Sequence, residues 1–393
     1  MGVNQEHALG RLRKVFAKVE TTYGTQVSVV TGDAMKFLTF GITPDQPMNP
    51  RIDSKQTRTL QEEIKTKKTV AWAGEAYLLP NGAAGTAPDV DAMLKALLGV
   101  STNDPGVSQV YTPADGQKVL GGLTLFHDHA PAFAEAAIGA WVEQATIRIA
   151  GGEEPKIALE GGAADYIFTG NGTVDAASAA AVTITVQAGG RENFMIGSRI
   201  KIVDATTEST VESDGAGAGH TITAYNRTTG VATISPGLDN DVEAADKIIP
   251  FAPAETTAGA ATSGVGGSLT IAAGSVDIVG AEIVIKNNVK PWAEQAFTEK
   301  VTDYLLGNRE VSGSVNILAR RDLIKHLGKT WDFGTQALVV TCGDTAGAKV
   351  EVTCALARFQ PVKVEVPESE EAVISLPFIA KGTTADEISI SFE

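Results

Sequence analysis

The stretch GAWVEQATIRIAGGEEPKIALEGG at 139–162 decides how this chain is read. Its two halves, 144–150 and 155–160, are runs of strand length on either side of Gly151, Gly152, Glu153 and Glu154. Two such runs around a short break containing glycine read as a β-hairpin. A second run supports the same class. In 310–318, Val311, Val315 and Ile317 face one way, while Glu310, Ser312, Ser314 and Asn316 face the other. A period of two puts one face on a core and the other in water.

Outward from these runs the β pattern continues. Residues 281–287 read as a strand, followed by a loop with Pro291 and Trp292. After 318 come a short helix at 320–327, stopped by Gly328, and strands at 337–342, 349–355, 359–366, 372–380 and 388–392. Toward the N-terminus, 54–79 reads as two strands, and 107–127 as a further pair around a turn at 113–116. Residues 133–142 read equally as a short helix or a strand. The clearest helix lies between Thr86 and Gly99. Val90, Met93, Leu94, Leu97 and Leu98 recur at helical spacing, Thr86 and Asp89 resemble a capping box, and Gly99 is a stop. A helix with one apolar stripe covers one side of a sheet.

Two regions differ. Residues 1–50 open with a short basic amphipathic piece at 9–19, then run irregularly through Gly24, Gly32, Gly41, Pro44, Pro47 and Pro50. So long an irregular stretch does not belong inside a compact domain. Tyr23, Met35, Phe37, Leu38, Phe40 and Ile42 are too apolar for a free tail, so an arm lying on a neighbouring subunit is expected. From 168 to 278 Lys and Arg nearly vanish and Gly, Ala, Thr and Ser rise. Short strands at 181–187, 198–203, 219–225, 230–234 and 247–251 point to a small all-β domain inserted into the first one. The expected units are therefore 1–50, 51–167, 168–278 and 279–393.

Composition narrows the function. The 393 residues carry a formal net charge of −15, and 43% are hydrophobic. That suits two or three domains with real cores, and an acidic surface opposes a DNA-gripping role. Five His and two Cys leave little material for a zinc or thiol site. Cys342 and Cys354 read as buried small hydrophobes, and hairpin register keeps them apart. No apolar leader and no membrane-length apolar run is present.

No motif carries chemistry. His127, Asp128 and His129 form the one tight His/acid cluster, in which alternation would place both imidazoles on one face; without a partner set they read as a polar strand end. Asp239, Asp241, Glu243 and Asp246 resemble a calcium loop, but Ala244 stands where its glycine is required. Gly161-Gly162 and Gly170-Asn171-Gly172 lack the Lys-Ser/Thr of a phosphate loop, and no nucleophile elbow or zincin motif occurs. Asn171 and Asn226 match glycosylation acceptors and read as incidental. No catalytic, cofactor-binding or metal residue is expected.

Four stretches carry a family resemblance: TTYGTQ at 21–26, APDVDAMLKALLG at 87–99, the 139–162 hairpin, and IVIKNNVKPWAEQAFTEKVTDYLLGNREVSGSVNI at 283–317. In these the chain resembles the major tail tube protein of long-tailed bacteriophages with non-contractile tails. The resemblance implies a mainly β fold, a β-sandwich or barrel with flanking short helices, plus the inserted domain. It implies hexameric rings stacked into a tube, with 54–79 and 281–318 as candidate lumen strands. The implied partners are copies of the chain, a tape measure protein and a tail terminator, with double-stranded DNA passing through the lumen during ejection without specific binding. Location in the virion tail after synthesis in the bacterial cytoplasm, no membrane, and an outward insertion touching host glycan weakly complete the expectation. The competing reading is a secreted or surface-layer carbohydrate-binding adhesin.

Overall fold

In the computed structural model one strand, Phe133–Ala150, organises the rest. The structure describes residues 13–50, 63–115, 121–129, 132–169, 172–174, 183–186, 196–206, 210–238, 242–243, 245–255, 259, 262, 267–272, 274–292, 301–320, 330–331, 334–362 and 371–393. The first half of the long strand pairs with Leu123–His129 on one side and Asp165–Thr169 on the other. Its second half pairs with Lys156–Ala163 and Ile278–Lys286. The run AEAAIGA at 134–140 is rich in a strong helix former, yet pairing on both flanks makes it a strand, because context outweighs intrinsic propensity.

The handover occurs at a bulge. Register slips between Ala137 and Ala140, and Gly139 sits at φ +61°, where a side chain is disfavoured. A Cβ there would lie 2.9 Å from the Ala164 methyl. The Gly139 N–H, freed by the slip, donates to the Glu20 carboxylate at 2.8 Å. The same oxygen accepts from Thr124 Oγ1 at 2.9 Å, and the other from Gly24 N–H at 2.7 Å. A buried carboxylate is tolerated only when hydrogen-bonded this way.

Among the described residues eighteen strands join into one antiparallel barrel. One wall runs, in hydrogen-bonded order, Phe37–Asp45, Thr69–Tyr77, Lys156–Ala163, Phe133–Ala150, Ile278–Lys286, Glu310–Leu318 and Val373–Lys381. Val350–Phe359 turns the corner, pairing with Val373–Lys381 and with Ser389–Phe392. The opposite wall continues through Gln336–Cys342 and Ser268–Ile271, and through Ser108–Pro113 and Gly99–Asp104. One apolar core spans both walls, including Trp72, Ile147, Ile283, Val315, Val352, Phe378 and Ile390. The helix, Asp91–Leu98, buries Met93, Leu94, Leu97 and Leu98 in it. Each such side chain contributes roughly 1.5–3 kcal/mol. Gly99 ends the helix at φ +100° with its N–H on the Lys95 carbonyl.

A separate seven-stranded sheet begins at Gly172–Thr173 and ends at Lys247–Pro250. Its own core holds Ile184, Ile200, Ile202, Ile222, Tyr225, Ile234 and Ile248. Gly172 and Ile248 are register partners, so the chain enters and leaves side by side. Thr169 Oγ1, at the end of the barrel strand Asp165–Thr169, donates to Ser198 Oγ, and Arg199 donates to the Val29 carbonyl of the N-terminal segment.

Several expectations change. Residues 14–45 are not a detached arm. Lys14–Val19 pairs with Leu123–His129, and Phe37–Asp45 with Thr69–Tyr77. Phe16 is fully buried among Phe126, Ala134 and Ile167. Of the two strands expected in 54–79, the second is Thr69–Tyr77, which pairs with Phe37–Asp45, while 54–62 lies outside the described residues; Met48–Pro50 pairs with Glu63–Lys65. The inserted sheet spans 172–250 rather than 168–278, because Ser268–Ile271 pairs with Gln336–Cys342 in the barrel. Ser108–Pro113 pairs backward with Gly99–Asp104, not forward. The helix starts at Asp91, not at a Thr86 capping box; the Asp91 carboxylate accepts from Tyr111 Oη and Lys95 Nζ, both at 2.7 Å. The helix expected at 320–327 and the far end of the strand expected at 359–366 lie outside the described residues.

Two measurements test this architecture. Phe16→Ala should destabilise the isolated subunit by about 3–5 kcal/mol, read as a lower urea midpoint; an arm resting only on a neighbour would leave the midpoint unchanged. Replacing 173–247 with a three-residue Gly-Ser-Gly link should leave a barrel that still melts cooperatively, by near-UV circular dichroism.

Candidate functional site

The solvent side of the long wall is a mixed surface of polar and small or apolar residues, built by alternation. Each strand gives the core its apolar set and turns the intervening residues outward. Register aligns these in rows. One row reads Thr39, Glu75, Ala158, Thr146, Val284, Ser312 and Ile379 across seven strands. The surface is hollowed into an open concavity of about 820 Å³, lined by Thr39, Gly41, Ala73, Gln144, Thr146 and Glu160 among others. Gly161 and Gly162 allow the close approach behind it, where Trp72 Nε1 donates to the carbonyls of Trp141 and Gly162 at 3.1 and 3.2 Å. A Cβ on Gly161 would fall 1.9 Å from the Trp141 carbonyl oxygen.

Charge on this face is matched locally. Arg148 Nε donates to Glu282 at 3.2 Å and its guanidinium lies 4.0 Å from Glu75. Lys156 binds Glu153 at 3.2 Å. Lys286 stands opposite Glu310 in register. Such exposed pairs contribute little to stability, about 0–1 kcal/mol each. Their effect is electrostatic: each of these bases has a carboxylate beside it.

Beside the bulge lies a second constellation. His127 and His129 share one face of Leu123–His129, and Glu135 stands directly opposite His127 on the long strand. One oxygen of Glu135 lies 3.0 Å from His127 Nδ1 and 3.0 Å from His129 Nε2. Its other oxygen accepts from Tyr166 Oη at 3.0 Å. Burial pushes the Glu135 carboxyl up, but the hydrogen bonds from His127, His129 and Tyr166 outweigh it and hold the group at about 2. Burial lowers His127 despite the same carboxylate. The histidines thus have the partner that the sequence did not display.

Asp128 points the other way and is 2% exposed. Among the described residues its Oδ1 has no hydrogen-bond partner. Burial, against the pull of Lys14, raises its carboxyl to about 6.

The remaining candidates separate. Asp246 is a structural brace, accepting from the backbone N–H groups of Ala205 and Glu243. Asp239 and Asp241, like Asn171, lie outside the described residues. Cys342 and Cys354 are both free and buried, and burial lifts their thiols to about 11 and about 12. Among the described residues no helix is long and apolar enough to cross a membrane.

Asp128 generates a pH prediction. Its carboxyl is raised in the fold, so the unfolded chain ionises first, and stability falls as pH rises from about 4 to about 6. Asp128→Asn should therefore stabilise the subunit by about 1–3 kcal/mol at pH 7–8 and add nothing at pH 4, as measured by urea unfolding at both pH values.

No curated protein matches the chain. The family model for the phage tail tube protein matches residues 10–393, nearly the whole chain, and the chain belongs to that family.

Proposed function

We propose that this structural tail tube subunit forms hexameric rings that stack into the tube, with the long wall Phe37–Asp45 to Val373–Lys381 facing the channel. The observation that carries the reading is the concavity in that wall, on a face where Arg148, Lys156 and Lys286 each stand beside a carboxylate. Two strand pairs lie on it: Thr69–Tyr77 joins Phe37–Asp45 at one end, and Ile278–Lys286 joins Glu310–Leu318, the pair expected at 281–318, toward the other. A surface that curves inward fits the inside of a cylinder.

The electrostatics support transit of DNA. Duplex DNA carries one charge per about 1.7 Å, and each unmatched Lys or Arg that meets a phosphate releases counterions and binds. Arg148 and Lys286, each beside a carboxylate, give a phosphate little net attraction. The same wall would hold a tape measure protein without gripping it, and a tail terminator would cap the last ring.

Ring closure needs somewhere for sheet edges to go. Among the described residues Phe37–Asp45 pairs on one side only, with Thr69–Tyr77. In a ring its free edge abuts the next subunit, which removes an aggregation-prone edge. The Met48–Pro50 and Glu63–Lys65 extension pairs only with itself and is suited to reach the adjacent ring. The inserted sheet meets Val29 of the N-terminal segment and Thr169 of the barrel, away from the wall. It faces outward in this reading and is the part available to host glycan.

Glu282→Lys with Glu310→Lys tests the wall. Purified protein should still form tubes by electron microscopy, because both positions are exposed. Phage carrying the pair should eject DNA several-fold more slowly, with the defect relieved by added salt. Unchanged ejection would remove this face from the channel; a strictly monomeric wild-type chain at high concentration would overturn the tube itself.

A further inference from the structure

We propose that His127, His129 and Glu135 form a binding site for a divalent transition-metal ion of the zinc class. All three offer a ligand atom, and those atoms lie within 4.8 Å of one another. The backbone supplies the arrangement without a loop. Two residues apart on one strand, the histidines project from the same face, and hairpin register brings Glu135 across from His127. A tetrahedral ion holds ligands at about 2.0–2.2 Å, so neighbouring ligand atoms sit about 3.4 Å apart. The two 3.0 Å separations around Glu135 Oε1 need to open by only a few tenths of an ångström to admit it.

The surroundings match a ligand set. Tyr166 Oη holds the second oxygen of Glu135 at 3.0 Å, an outer contact that orients a carboxylate toward an ion. Phe133 packs on the His129 ring at 4.4 Å and Phe40 on the His127 ring at 5.1 Å between centroids, fixing both imidazoles. His127 is the inner ligand with a side chain 2% exposed, whereas His129 at 20% and Glu135 at 12% reach solvent. That leaves an entry path and a fourth position for water. Two nitrogens and one oxygen select Zn²⁺, Co²⁺, Ni²⁺ or Cu²⁺ over calcium or magnesium, which prefer all-oxygen shells. The bound ion would clamp Leu123–His129 to the long strand and, through Tyr166, to the strand that leads toward the inserted sheet. The proposal is independent of how subunits assemble.

The test uses the untagged full-length chain after chelator treatment, titrated with ZnCl₂ by calorimetry and with CoCl₂ by visible absorption. We expect one equivalent with Kd at or below about 10 μM, at least tenfold weaker in His129→Asn and Glu135→Gln, and about tenfold weaker in Tyr166→Phe. Saturating zinc should raise the unfolding midpoint of the wild type only. Absence of binding up to about 1 mM, or affinity unchanged in both ligand variants, would overturn the site. Should a variant fail to fold, the wild type still decides. Bound Co²⁺ should protect the solvent-reaching His129 from diethyl pyrocarbonate by mass spectrometry, and equal modification of His129 with and without the ion would refute the proposal.

Discussion

The hydrogen bond from Gly139 N–H to the buried Glu20 carboxylate is the contact on which the fold turns. Phe133–Ala150 has to serve two sheets, and a strand can change partners only by breaking its ladder. The break strands a backbone donor in the interior, where an unmet amide costs about 1–3 kcal/mol. Glu20 meets it and collects Thr124 and Gly24 as well. The turn after Glu20 is held by this bond: Tyr23 reaches Tyr304 at 5.3 Å, and Gln26 lies against Gly197 of the inserted sheet. The strands on both flanks of Phe133–Ala150 and the N-terminal segment that meets the insertion thus converge on a single carboxylate.

From that junction the wall extends with few irregularities, which is why its outer face is ordered in rows. Order of this kind makes charge matching possible. Arg148 can sit beside both Glu282 and Glu75 because register, rather than side-chain reach, sets the spacing. In the proposed channel such neutrality would serve better than a simple lack of bases, since bases keep a row of carboxylates from repelling one another.

How much of this was legible follows from where each signal lay. The 139–162 hairpin and the Met93–Leu98 stripe announce themselves by local period, and the structure places both as read. Residues 14–45 do not. Phe16, Met35 and Phe40 are separated by glycines and prolines, and their partners, Leu123–His129 and Thr69–Tyr77, lie far along the chain. Residues 268–276 share the small-residue composition of the preceding region, while the pairing of Ser268–Ile271 with Gln336–Cys342 depends on register that composition does not encode. His127 and His129 were visible as a pair. Glu135 was concealed because 133–142 read equally as a helix; taken as the return strand of a turn at 130–132, it falls opposite His127.

The Glu20–Gly139 bond spans 119 residues, and Ser389–Phe392 completes its sheet beside Ser108–Pro113. Such nonlocal closure has a kinetic consequence. Chains dominated by distant pairings fold slowly, because loop entropy is lost before contacts repay it. Ser108–Pro113 keeps an open edge on the ribosome until Ser389–Phe392, far along the chain, has been made and can pair with it.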